Sequence, residues 1–106
     1  MMELATARQY NVKTTHVVFN NSSLGTIRMN QEAAFPNRVV ATDLVNPDFV
    51  AVARGFRFDA FRVSRDAEFK PAFQQAMQSQ NPALVEVVTD VEIITPDTTL
   101  SEMRNR

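Results

Sequence analysis

The stretch Thr14-Thr15-His16-Val17-Val18-Phe19-Asn20-Asn21-Ser22-Ser23-Leu24-Gly25-Thr26 decides the fold. Residues 14–19 are mostly β-branched or aromatic with little polar alternation, which predicts a strand covered on both faces in a parallel sheet. Asn20 and Asn21 end that strand with two side-chain carbonyl oxygens. Gly25 then turns the chain into a helix expected over 26–34, broken by Phe35-Pro36-Asn37 and followed by an extended loop over 38–44.

Upstream, residues 3–10 combine strong helix formers with no Gly or Pro and predict a short helix. Downstream, Asn46 is expected to cap a short helix, with Pro47 at its first position, Asp48 in its first turn and Gly55 at its end. A strand over 58–63 follows, then a helix over 68–78 with Phe69, Ala72, Phe73, Ala76 and Met77 on one face. Pro71 is expected near the start of that helix, since a deeper position would cost about 3 kcal/mol. Asn81-Pro82 marks a turn before a strand over 83–88, and from Thr89 the pattern fades into a tail. This alternation predicts an α/β fold, a three-layer sandwich with a mostly parallel sheet and helices on both faces, and a single domain over residues 1–106.

Composition bounds the function. The 44% apolar content supports one small core, and a net charge of −1 with scattered Arg residues gives no nucleic-acid footprint and no polybasic membrane anchor. Without cysteine, a disulfide scaffold and a thiolate metal site are both excluded. No apolar run is long enough for a signal peptide or a bilayer span, so a cytoplasmic chain is expected.

The segment Glu3-Leu4-Ala5-Thr6-Ala7, the strand ending in Asn20-Asn21, Gly25, and Asn46-Pro47-Asp48-Phe49 together resemble the C-terminal, diphosphate-binding domain of thiamine-diphosphate-dependent enzymes of the acetolactate synthase and pyruvate decarboxylase superfamily. The resemblance covers nearly the whole chain but lacks the Gly-Asp-Gly that opens the family motif, so an N-terminal truncation is expected. It implies that Asn21, Ser23, Leu24, Gly25, Thr26 and Ile27 lie at the cofactor. The Asn21 side-chain oxygen and the Ser23 carbonyl would be ligands to Mg²⁺ or Ca²⁺, hard cations that take oxygen donors. The backbone N–H groups of Gly25, Thr26 and Ile27 would meet the diphosphate at a helix N-terminus. The carboxylate ligand and the activating Glu of the family have no counterpart here, so no catalytic residue is assigned. Asn30 stands where acetolactate synthases carry a Trp, which leaves the substrate open.

Three functions follow as expectations. The first is the cofactor-binding portion of a thiamine-diphosphate-dependent decarboxylase or carboligase, a lyase or transferase inactive alone. Its implied partner is a missing N-terminal pyrimidine-binding domain or second subunit. The second is a non-catalytic interaction or homo-oligomerisation module, built on apolar surface where lost segments packed. The third, a flavodoxin-like domain, lacks any Gly-rich phosphate loop in this sequence. His16, Glu3 and the Phe residues read as structural.

Overall fold

In the computed structural model, which describes residues 1–105, the chain runs α1 (Met2–Gln9), β1 (Thr15–Asn20), α2 (Gly25–Ala34), α3 (Phe49–Gly55), β2 (Asp59–Val63), α4 (Asp66–Gln78), β3 (Ala83–Val88), β4 (Ile93–Thr95), β5 (Thr98–Thr99) and α5 (Leu100–Arg104). No helix among the described residues is long and apolar enough to cross a membrane. The chain divides into two compact units, one of Met1–Phe19 with Pro47–Val88, the other of Asn20–Asn46 with the segment from Thr89 onward.

The first unit holds a sheet of order β1-β3-β2. β2 and β3 pair in parallel from Asp59↔Ala83 to Val63↔Val87. β1 runs parallel to β3, since β3-side donors Ala83 N–H and Thr89 N–H reach Thr14 O and Asn20 O in the same order, each at 2.9 Å. Alternate β3 side chains enter two cores. Leu84 joins Val50, Ala53, Phe58 and Ala60 under α3, with Leu4 and Ala7 of α1 packed against them. Ala83 and Val85 join Val63 and Ala76 under α4. Helices therefore cover both faces, giving the expected three-layer α/β arrangement.

Four local expectations are corrected. The strand with both faces buried is β3, whose first four residues are inaccessible. β1 lies at the sheet edge, with His16 exposed and Phe19 72% exposed, because it has a neighbour on one side only. The cap of α3 is Asp48, whose Oδ1 accepts the Ala51 N–H at 3.0 Å, and Pro47 lies outside the helix. A carboxylate two residues nearer the first free N–H groups outcompetes Asn46 for that role. Pro71 falls in the second turn of α4, where it cannot donate to the carbonyl of Ala67, itself an exposed residue. Met77 is 53% exposed, so the buried stripe of α4 centres on Ala76.

In the second unit the tail from Thr89, where the sequence pattern fades, is a β4–β5 hairpin running into α5. Thr99 and Glu102 form a reciprocal capping box, Thr99 Oγ1 accepting the Glu102 N–H and Glu102 Oε2 accepting the Thr99 N–H. α5 packs on α2. The buried residues of this unit, among those described, are Leu100, Glu32 and Thr42.

Glu32 is 1% exposed and is held by Arg104 through two contacts of 2.8 Å, with the Asn37 N–H donating at 3.0 Å. The Arg104 guanidinium, followed by the Asn37 N–H, keeps the Glu32 carboxyl below the usual carboxylate range. A group with a depressed folded pKa contributes stability that is complete above its unfolded value and is lost as pH falls through the folded one. Acidification below about 4.3 is therefore expected to lower the thermal midpoint. Asp48, whose carboxylate accepts the Ala51 N–H, and Glu68, beside Arg65, are depressed too and share this acid limb. Thermal melts across this range should show a shallower acid limb for Glu32→Gln than for the native chain; identical limbs would contradict it.

Candidate functional site

Two successive side-chain turns build the end of β1. Asn20 Oδ1 accepts the Ser22 N–H at 2.9 Å, and Asn21 Oδ1 accepts the Ser23 N–H at 3.0 Å. Such Asx turns replace a ladder bond by a local one, so the strand stops there. Ser22 takes a left-handed φ of 52°, which sharpens the reversal. Asn46 Nδ2 donates to Asn20 Oδ1 at 2.8 Å, so the residue expected as a helix cap instead braces the first turn.

The loop after α2 returns to stiffen this junction. Ser23 and Asp43 form an antiparallel bridge, Leu24 N–H donates to Thr42 O at 2.8 Å, and Leu44 N–H donates to Ser22 O at 2.9 Å. Ser23 Oγ adds a bond to Thr42 O at 3.1 Å. The loop is itself held extended by Gln31, whose amide accepts the Val40 N–H and donates to Val40 O, both at 3.0 Å.

α2 starts immediately beyond. Its cap position is Leu24, which offers no side-chain acceptor, and the first turn has no acidic residue. The N-terminal N–H groups of a helix lack intrahelical partners, and the helix dipole makes this end positive. Ser23, Leu24, Gly25, Thr26 and Ile27 line one open depression of about 320 Å³ there. Asn21 lies against it: a Cβ on Gly25 would stand 2.9 Å from Asn21 Nδ2, so glycine is what lets the helix start so close to that amide. The six residues picked out in the sequence are thus neighbours on one surface.

That surface offers anion donors and neutral oxygens. The Asn21 amide oxygen has a second lone pair beyond the one engaged by Ser23, and the Ser23 carbonyl is adjacent in the chain. Among the described residues no three His, Cys, Asp or Glu side chains gather as a metal cluster. Asp43, opposite Ser23, is exposed, and its carboxylate stands 3.8 Å from Arg28. The donor set fits the phosphate-facing half of a metal–diphosphate site and leaves the anionic half unsupplied.

The other residues singled out in the sequence lie elsewhere. His16 has Nε2 3.0 Å from Thr14 Oγ1 and its ring tilted on Phe58 at 5.9 Å. Glu3 is an exposed first-turn charge whose carboxyl is kept low by its own backbone N–H and the N-terminal ammonium. Glu32 and Arg104 were not singled out from the sequence, although the Thr99-Leu100-Ser101-Glu102 spacing carries a capping-box signature for the helix that brings Arg104 in.

A family model described as thiamine pyrophosphate enzyme, C-terminal TPP binding domain, matches residues 1–87. The acetolactate synthase catalytic subunit of Aspergillus candidus is 31% identical over 88% of this chain and 13% of its own length. Glyoxylate carboligase of Escherichia coli is 36% identical over 83% of this chain and 17% of its own length. Pyruvate oxidase of Lactiplantibacillus plantarum is 32% identical, again over 83% of this chain and 15% of its own length. The chain thus spans a small fraction of the curated relatives it matches.

Proposed function

From a chain that belongs to the family of thiamine pyrophosphate enzyme C-terminal TPP-binding domains, we propose the cofactor-binding portion of a thiamine-diphosphate-dependent decarboxylase or carboligase resembling acetolactate synthase. The observation that carries this reading is the Asn20-Asn21 double turn, which delivers the chain into an α2 with free N-terminal donors.

Gly25, Thr26 and Ile27 would hold the diphosphate through backbone N–H groups, with Ser23 and Leu24 beside them. Asn21 Oδ1 and the Ser23 carbonyl would face Mg²⁺. Bound thiamine diphosphate supplies the stabilisation of a carbanion equivalent. The residues of this chain orient its anionic end, the Gly-Asp-Gly that opens the family motif would supply the carboxylate ligand, and an N-terminal pyrimidine-binding domain or second subunit would supply the activating Glu. Asn30, exposed one turn further along α2, belongs to the substrate side in this reading, where a Trp is absent.

Calorimetric titration of the chain with thiamine diphosphate and Mg²⁺ tests the assignment. Binding on the order of millimolar is expected, without turnover. Omitting Mg²⁺ or introducing Asn21→Ala should weaken it further. Micromolar binding or turnover would show a self-sufficient domain, and insensitivity to both changes would remove Asn21 from the metal.

A second reading, a self-associating module, draws on the β1 edge. In a parallel ladder alternate residues point their backbone groups away from the partner, here Thr15, Val17 and Phe19, and no charge or proline protects this edge. Phe19 and Val88 are exposed beside it. Sedimentation at rising concentration should show a dimer if this edge self-pairs, and a strict monomer dismisses the reading.

A further inference from the structure

α2 buries only one of its residues, and that residue is Glu32. A helix in an α/β fold ordinarily fixes its position by an apolar stripe. Here the place of that stripe is taken by an ion pair. Arg104 approaches Glu32 with Nη2 donating a hydrogen bond to Oε1 at 2.8 Å, while Nε lies 2.8 Å from Oε2 in an ion contact without a hydrogen bond of its own, so one charge-assisted bond and one close charge contact fix the pair.

The cation of that pair comes from the segment beyond residue 87, where the family match stops. That segment is internally braced around Glu92, whose backbone oxygen accepts the Leu100 N–H at 2.9 Å. Its Oε2 accepts the Ser101 N–H at 3.2 Å and Ser101 Oγ at 2.8 Å. Arg104 Nη2 also lies 3.8 Å from Glu92 Oε1. At its other end the segment reaches the candidate site directly, with the Thr89 N–H donating to Asn20 O at 2.9 Å.

We propose that the segment from Thr89 onward is a clamp for the anion site, with Glu32 and Arg104 as positioning residues that aim the first turn of α2. Glu32 lies seven residues from Gly25, about 10 Å along the helix, so neither residue touches the ligand. They act by setting the tilt and rotation of the helix whose N–H groups do. This rests on reading that first turn as a diphosphate cradle.

The test uses the full chain and inorganic pyrophosphate with Mg²⁺, followed through the amide resonances of Gly25, Thr26 and Ile27. Thermal melts are run in parallel. Arg104→Gln strands a buried carboxylate and can fail to fold, so the deciding variant is the double change Glu32→Met with Arg104→Leu. An apolar pair of this kind keeps or raises stability but has no directional hydrogen bond. Its pyrophosphate affinity is expected to fall about tenfold with the melting midpoint maintained, the size by which supporting contacts tune ligand sites. Arg104→Lys, which keeps the charge without the planar guanidinium that meets both carboxylate oxygens, should fall between. A double variant that binds as the native chain does overturns the clamp and leaves the cradle standing. No pyrophosphate-dependent shift in the native chain overturns the cradle, and the clamp with it.

Discussion

Phe58→Ala is expected to destabilise the protein by about 3–5 kcal/mol, the range for emptying an aromatic site in a packed core. Phe58 is 3% exposed and shares its core with Val50, Ala53, Ala60 and Leu84. Two of those neighbours are alanines, whose single methyl groups cannot extend into the space a lost ring leaves, so the cavity should persist. The residue also closes the end of α3. Its N–H donates to Ala53 O at 3.0 Å while Arg57 takes a left-handed φ of 61°, and the hydrophobic side chain after such a stop is what holds it shut. Total stability for a domain of this size is about 5–15 kcal/mol, so the variant should lie near its unfolding threshold. Urea titration measures this, with Phe19→Ala as the comparison. Phe19 is 72% exposed and should change stability by no more than about 0.5 kcal/mol. Equal effects at the two positions would mean that the sheet core is wrongly described.

The second large effect is expected at Leu100→Ala, about 2–5 kcal/mol. Leu100 is fully inaccessible and is the sole buried apolar side chain of its unit among the described residues, accompanied by Glu32 and Thr42. Whatever hydrophobic stabilisation that unit has beyond partly covered side chains is concentrated at this position. Its loss removes apolar contact at the packing of α5 on α2. Amide hydrogen exchange along α2 and α5, together with thermal melting, reads the result. Protection unchanged within error would mean that the ion pair and hydrogen bonds hold the unit without it.

The legibility of these features in sequence differed for a physical reason at each place. β3 was readable because a central strand needs apolar residues on both faces, and 83–88 supplies them almost without interruption. The apolar run Val17-Val18-Phe19 imitates that signal, yet its strand is at the edge; apolar content does not distinguish burial from a place where a neighbour is absent. The turn that ends β1 was legible because Asn20, Asn21 and Gly25 each answer a local backbone demand, two Asx turns and one close approach, and such demands are written in adjacent residues. Its supports were not, since Asn46, Thr42 and Arg104 are brought in from distant positions by tertiary structure. The choice of Asp48 over Asn46 as cap turned on two residues of register, finer than pattern reading resolves.

The Glu32–Arg104 pair also has a consequence in time. The two residues are 72 positions apart, and translation proceeds at about 5–20 residues per second. For several seconds of synthesis α2 has no guanidinium to receive its carboxylate, and a helix of ten residues is marginal in water without tertiary support. The sheet strands β2 and β3 are made within that interval. The position of α2 is therefore set only after the sheet strands β2 and β3 have left the ribosome.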